Sequence, residues 1–147
     1  TDSIAHSAWT PKVGFDVKLS NGMLAYLSAT RGFKSGGFNP SSTVPGRGYA
    51  PEWAWSYEGG LKGALLGDRT RFSASAFVMD YTDLQVQTPI AVAVLDIRNA
   101  AAATIRGIEF ENTSRLGRGF EAGGHLAWLD ATYDRYIAVA IGPGKIA

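Results

Sequence analysis

What most constrains this chain is a rhythm: tight glycine turns alternate with long connections, and between them apolar side chains recur at every second position. Ser20-Asn21-Gly22, Leu66-Gly67-Asp68 and Leu116-Gly117-Arg118-Gly119 are the short breaks, and Asn-Gly suits a hairpin because both residues tolerate positive φ. Two longer breaks intervene. Residues 32–52 are rich in Gly, Pro and Ser, and residues 82–103 are partly apolar, which fits an extended hairpin or a folded-back loop. In the first run Val13, Phe15, Val17 and Leu19 oppose Lys12, Gly14, Asp16 and Lys18. In the third, Trp53, Trp55, Tyr57, Leu61 and Leu65 oppose Ser56, Glu58, Gly60 and Lys62; in the last, Phe120, Ala122, Leu126 and Trp128 oppose Glu121, Gly123 and His125. Such sets place one class of side chain on each face of a strand. A helix would instead carry Gly14, Gly59, Gly60, Gly63, Gly107, Gly123 and Gly124 in its interior at about 1 kcal/mol each. Only residues 97–106, with alanines at 100–103, admit a helical alternative. The pattern predicts an all-β chain, an antiparallel meander of about six long strands in three hairpins.

Composition narrows what such strands can do. A net charge of +1 with dispersed Lys and Arg gives no footprint for nucleic acid, and the absence of Cys excludes a disulfide scaffold or a thiolate metal site. Seventeen aromatics among 147 residues exclude a disordered chain. The expected strands run roughly 10–13 residues, longer than the ~5–6 typical of soluble sandwiches. The face opposite the apolar one is dominated by Gly, Ala, Ser and charged residues, which suits a crowded lumen. Short turns alternating with long loops are also the asymmetry of outer-membrane barrels. On that reading Trp9, Trp53, Trp55, Tyr81, Phe120 and Tyr133 are girdle aromatics; on the alternative they fill a sandwich core. Residues 1–7 lack the charged and apolar regions of a signal peptide, and the longest apolar stretch, 89–95, is far short of a spanning helix. The chain, residues 1–147, is expected to be a segment of something longer.

Six blocks carry a family resemblance. Trp9-Thr10-Pro11-Lys12-Val13-Gly14, the stretch from Tyr26 through Arg31-Gly32-Phe33-Lys34-Ser35-Gly36-Gly37-Phe38-Asn39, and Ser56-Tyr57-Glu58-Gly59-Gly60-Leu61-Lys62 come first. Phe77 through Leu84-Gln85-Val86-Gln87, Asn99-Ala100 with Arg106-Gly107-Ile108-Glu109-Phe110-Glu111, and Leu129-Asp130-Ala131-Thr132-Tyr133 follow in order. The collinear set resembles the barrel of TonB-dependent outer-membrane receptors. That resemblance implies about six strands of a 22-stranded transmembrane β-barrel. It also implies active uptake of a ferric siderophore or a similar scarce nutrient, in the bacterial outer membrane. Partners implied are outer-membrane lipid and, through the full-length parent, a plug domain and TonB; the plug and the remaining strands lie outside this chain.

Candidate site residues fall in two groups. Arg31, Lys34, Asn39, Arg47, Tyr49 and Trp53 surround the first long connection, where cations and aromatics would recognise an anionic ferric chelate. Glu58, Lys62, Glu109 and Glu111 are expected to face the lumen, either touching plug or substrate or simply pairing within a polar interior. Nothing points to an enzyme: His6 and His125 are far apart, and neither the zinc-protease nor the serine-hydrolase motif is present. No cofactor or metal ligand set is expected. The alternative function is a soluble all-β interaction or carbohydrate-binding module, with Trp53, Trp55 and Tyr57 as its stacking platform.

Overall fold

The computed structural model describes residues 3–19, 22–39, 48–91 and 94–137. Its strands are β1 (Lys12–Lys18), β2 (Leu24–Lys34), β3 (Gly37–Phe38), β4 (Gly48–Tyr49), β5 (Glu52–Leu65), β6 (Thr70–Ala91), β7 (Val94–Gly117) and β8 (Phe120–Tyr136). Six of them form one sheet in the order β1-β2-β5-β6-β7-β8, every neighbouring pair antiparallel. This is the expected meander. The first long connection adds a small ribbon, β3 paired with β4. The second proves to be the extended hairpin, with β6 and β7 running 22 and 24 residues. Residues 97–106 are strand, because β7 pairs with β6 along this stretch and with β8 from Ala101 onward: Arg98 opposes Val86, and Ile105 opposes Met79 and Ala131.

Turn chemistry explains the short connections. Arg118 and Gly119, with φ of 53° and 82°, are the centre of a two-residue turn closed by Gly117 opposite Phe120. Leu66, Gly67 and Asp68 all take positive φ between Leu65 and Thr70. In the first turn Gly22 has φ 74° and Leu19 N–H donates to the Met23 carbonyl at 2.8 Å, while Ser20 and Asn21 lie outside the described residues.

The register places Val13, Phe15, Leu27, Tyr57, Val78, Ile108, Phe110, Leu126 and Trp128 on one face. Lys12, Tyr26, Glu58, Lys62, Ser73, Ser75, Glu109, Glu111 and His125 share the other. Neither face is covered. Among the described residues only Ala100 and Ala101 are buried apolar side chains, while Phe15, Leu27, Leu126 and Trp128 are more than half exposed. Such a sheet has no interior of its own and needs an apolar medium on one side.

The apolar band crosses the strands obliquely. Its upper border, toward the long connections, runs from Phe33 and Trp53 to Val78, then to Ile108 and Trp128. Above that border the same face turns polar, with Asp80, Thr82, Thr104, Arg106, Asp130 and Thr132. A descent of about one to two residues per strand is what strands inclined ~35–45° across a flat apolar slab produce, given ~4.8 Å between strands and ~3.3 Å per residue.

Candidate functional site

The polar face is graded from one end to the other. Toward the short turns, Lys62, Ser73, Glu111 and His125 occupy one row across β5 to β8, with Ala64, Arg71, Thr113 and Gly123 in the row beyond. In the next, Tyr26, Gly60, Ser75, Glu109 and Ala127 align. Glu58 and Lys62 sit four residues apart on one strand, about 13 Å along it, too far for a direct pair. Tyr26 links them instead. Its hydroxyl donates to Glu58 Oε1 at 2.6 Å, and Lys62 Nζ lies 5.6 Å from its ring centroid. Gly60 makes room for that ring, since a Cβ there would stand 2.5 Å from Tyr26 Cε1. Glu109 and Glu111 border a depression of about 340 Å³ with Ser73, Ser75 and His125. The four residues expected on a polar face are therefore on it, Glu58 bound by Tyr26 and Glu111 sharing a depression with Lys62 and Arg71.

Higher on this face the character changes. Phe77, Met79, Ile105 and Leu129 form the next rows, followed by Tyr81, Leu84, Ala103 and Tyr133. Tyr133 and Tyr136 meet edge to face at 5.3 Å. Strict alternation on β6 and β8 puts Tyr81 and Tyr133 here, so two of the expected girdle aromatics belong to the opposite face. The expectation of a uniformly small and polar inner surface holds only for its lower part.

At the long-connection end the candidate residues have separate roles. Asn39 is buried, its Nδ2 donating to the Ile97 carbonyl at 2.9 Å and its Oδ1 accepting from Ile97 N–H at 2.8 Å. Tyr49, on β4, lays its ring against Gly37 of β3, where a Cβ would come within 2.6 Å of the hydroxyl. Lys34 approaches Glu52 at 4.0 Å with its side chain 64% exposed. Arg31 and Trp53 lie on the apolar face, not the polar one, with the guanidinium 4.1 Å above the Trp53 ring and 5.9 Å from that of Trp55. Arg47 lies outside the described residues. Asn39 and Tyr49 border one depression and Arg31 meets Trp53, but the five described positions do not line a common pocket.

Two residues outside the candidate set, Asn99 and Gln85, complete the contact between the two long connections. Asn99 repeats what Asn39 does: its Oδ1 accepts from Ala50 N–H at 2.7 Å and its Nδ2 donates to the Ala50 carbonyl at 2.9 Å. The same Nδ2 reaches the Asp83 carbonyl at 2.7 Å, fixing the bulge where Asp83 takes φ 54°. Gln85 donates to the Ser35 and Ala50 carbonyls at 3.0 and 3.1 Å, and its N–H binds Glu52 Oε2 at 2.9 Å. The signal was in the sequence, since Gln85, Asn99 and Asn39 all stand inside the blocks that carry the family resemblance.

The TonB dependent receptor-like β-barrel family model matches residues 1–145. Among solved structures, the ferric yersiniabactin uptake receptor FyuA from Yersinia pestis is similar, with a TM-score of 0.73 at 20% identity over 86% of this chain. The match takes in 19% of FyuA, so the chain spans about a fifth of that protein's length. At this identity the likeness concerns the fold.

Proposed function

The chain belongs to the TonB-dependent receptor β-barrel family, and from that premise we propose that it is part of the wall of a bacterial outer-membrane barrel that imports a ferric siderophore or a similar scarce nutrient. The apolar face meets lipid and the graded face lines the lumen, with the long connections outside the cell and the short turns in the periplasm. No bond is made or broken in such a protein. The outer connections and the Tyr81–Tyr133 level of the wall receive the nutrient, and the carboxylates at Glu58, Glu109 and Glu111 hold a plug domain until TonB displaces it. Carboxylates on a wall favour a partner surface bearing Arg or Lys.

The single observation that carries this reading is the family match across almost the whole chain. The sloping apolar band supports it independently, since a soluble module has no need of one. A carbohydrate platform made of Trp53, Trp55 and Tyr57 would also need those rings free, whereas Arg31 lies across two of them. Deleting the gene for the full-length protein in its host, then measuring ⁵⁵Fe accumulation from a panel of ferric chelates under iron limitation, tests the proposal. Loss of uptake for one chelate, restored by the gene on a plasmid, is the expected result. Unchanged uptake of every chelate, with the protein recovered in the soluble fraction, would overturn it.

A further inference from the structure

The lipid-facing surface contains a charge where none is expected. Arg31 lies within the apolar band, one row below Phe33 and Trp53 and one row above Ala29 and Tyr57. Its Nε is covered and makes no hydrogen bond. No carboxylate among the described residues lies within ion-pair distance of it; Asp80, the acid in its row, is two strands away, about 10 Å. A cation here is costly unless something anionic meets it, yet the flat guanidinium is held against Trp53 rather than left to fold away.

Directly below Arg31 the same face is hollowed. Small residues Ala29, Gly59 and Ala76 form the floor, and Phe15, Leu27 and Tyr57 rise around it, enclosing about 460 Å³. The trough is apolar and crosses β1, β2, β5 and β6 in two rows, the upper of which, Val13, Ala29, Tyr57 and Val78, lies one row below Arg31. An acyl chain suits an apolar trough, and a headgroup phosphate one row higher has the charge that Arg31 lacks as a partner.

We propose that this surface is a binding site for one anionic phospholipid or glycolipid molecule, an acyl chain in the Ala29–Gly59–Ala76 trough and its headgroup phosphate on Arg31. The site rests on the lipid-facing assignment made above. Arg suits it better than Lys, because its planar fork can stack on Trp53 and still offer two N–H groups to phosphate oxygens.

The test uses the full-length receptor in detergent, titrated with dioleoyl-phosphatidylglycerol, dioleoyl-phosphatidylcholine or inorganic phosphate and read by native mass spectrometry. The phosphatidylglycerol adduct is expected to weaken about tenfold in Arg31→Gln, the effect of losing one charge-assisted contact, and less in Arg31→Lys. Phosphatidylcholine, whose phosphate is offset by its own choline, should lose less than phosphatidylglycerol in Arg31→Gln, and Ala29→Trp, which fills the trough, should weaken both lipids. Equal phosphatidylglycerol binding by wild type and Arg31→Gln overturns the proposal, as does its displacement by inorganic phosphate, which would make the site one for a free anion. A fluorophore on Leu27→Cys separates the site from the assignment beneath it. Quenching by brominated acyl chains upholds the lipid-facing assignment whatever happens at Arg31, and no quenching removes the assignment and the site together.

Discussion

The side-chain amides of Asn39 and Asn99 each present a donor and an acceptor with the spacing of a peptide group, so each pairs with both main-chain groups of one residue, Ile97 and Ala50 respectively. Asn39 does so while buried, where an unpaired partner is expensive. Asn39→Ala should therefore leave Ile97 N–H and its carbonyl unmet and loosen this contact by about 1–3 kcal/mol. Hydrogen exchange on the full-length receptor reads this directly: the Ile97 amide should exchange at least about tenfold faster, with Lys62 and its neighbours unaffected. Undiminished protection at Ile97 would mean that the docking rests on other groups. At this scale the sequence is a partial guide. Period-2 alternation fixed the faces of Glu58, Lys62, Glu109 and Glu111, because strand geometry leaves no other choice. Arg31 was not legible in this way, because its phase against Trp53, Trp55 and Tyr57 depends on the β2–β5 register and its chemistry suggested a ligand contact. Asn39 resembled a loop residue because its hydrogen-bond partner is 58 positions away.

Strands β6 and β7 show what an element needs beyond its own sequence. Alanines at 100–103 favour a helix locally, and pairing on both edges overrides that preference. Strand existence was legible from turns and alternation, whereas strand length was not: nothing in residues 82–103 alone says that pairing continues past the bulge at Asp83. The slope of the apolar band also emerges only when registers are known, since it relates residues on different strands. It makes a depth prediction. Ala76→Arg lies in the middle of the band and should destabilise the barrel by about 2–4 kcal/mol, while Thr132→Arg, above the border, should cost about 0–1 kcal/mol. Denaturant titration of receptor folded into phosphatidylcholine vesicles gives both values. Equal costs at the two positions would show that the border is misplaced.

The sheet as a whole is open. Strands β1 and β8 each have one unpaired edge, and the large apolar residues on one face are exposed. Edges of this kind pair with whatever strand they meet. Residues 1–147 expressed alone and refolded in detergent should therefore associate through β1 and β8, giving a mass by light scattering above that of one 15.6 kDa chain. The full-length protein, in which flanking strands cover both edges, should be monomeric under the same conditions. A monodisperse 15.6 kDa species from the segment alone would indicate a self-closing small barrel instead. Membership of a barrel family was legible in the sequence because the motifs occur in order; the open edges of β1 and β8 were not, because they appear only once the strand order is known.

The contact between the two long connections also governs how this part of the receptor can be rearranged. Ala50 and Ser35 come from one connection, Asn99, Gln85 and Ile97 from the hairpin that forms the other, so neither is a self-contained module. A transplant that exchanges one without the other strands amides whose counterparts stayed behind. Exchange of these segments between relatives should then succeed only when both connections travel as a matched pair, with breakpoints in the short turns that leave the pair intact.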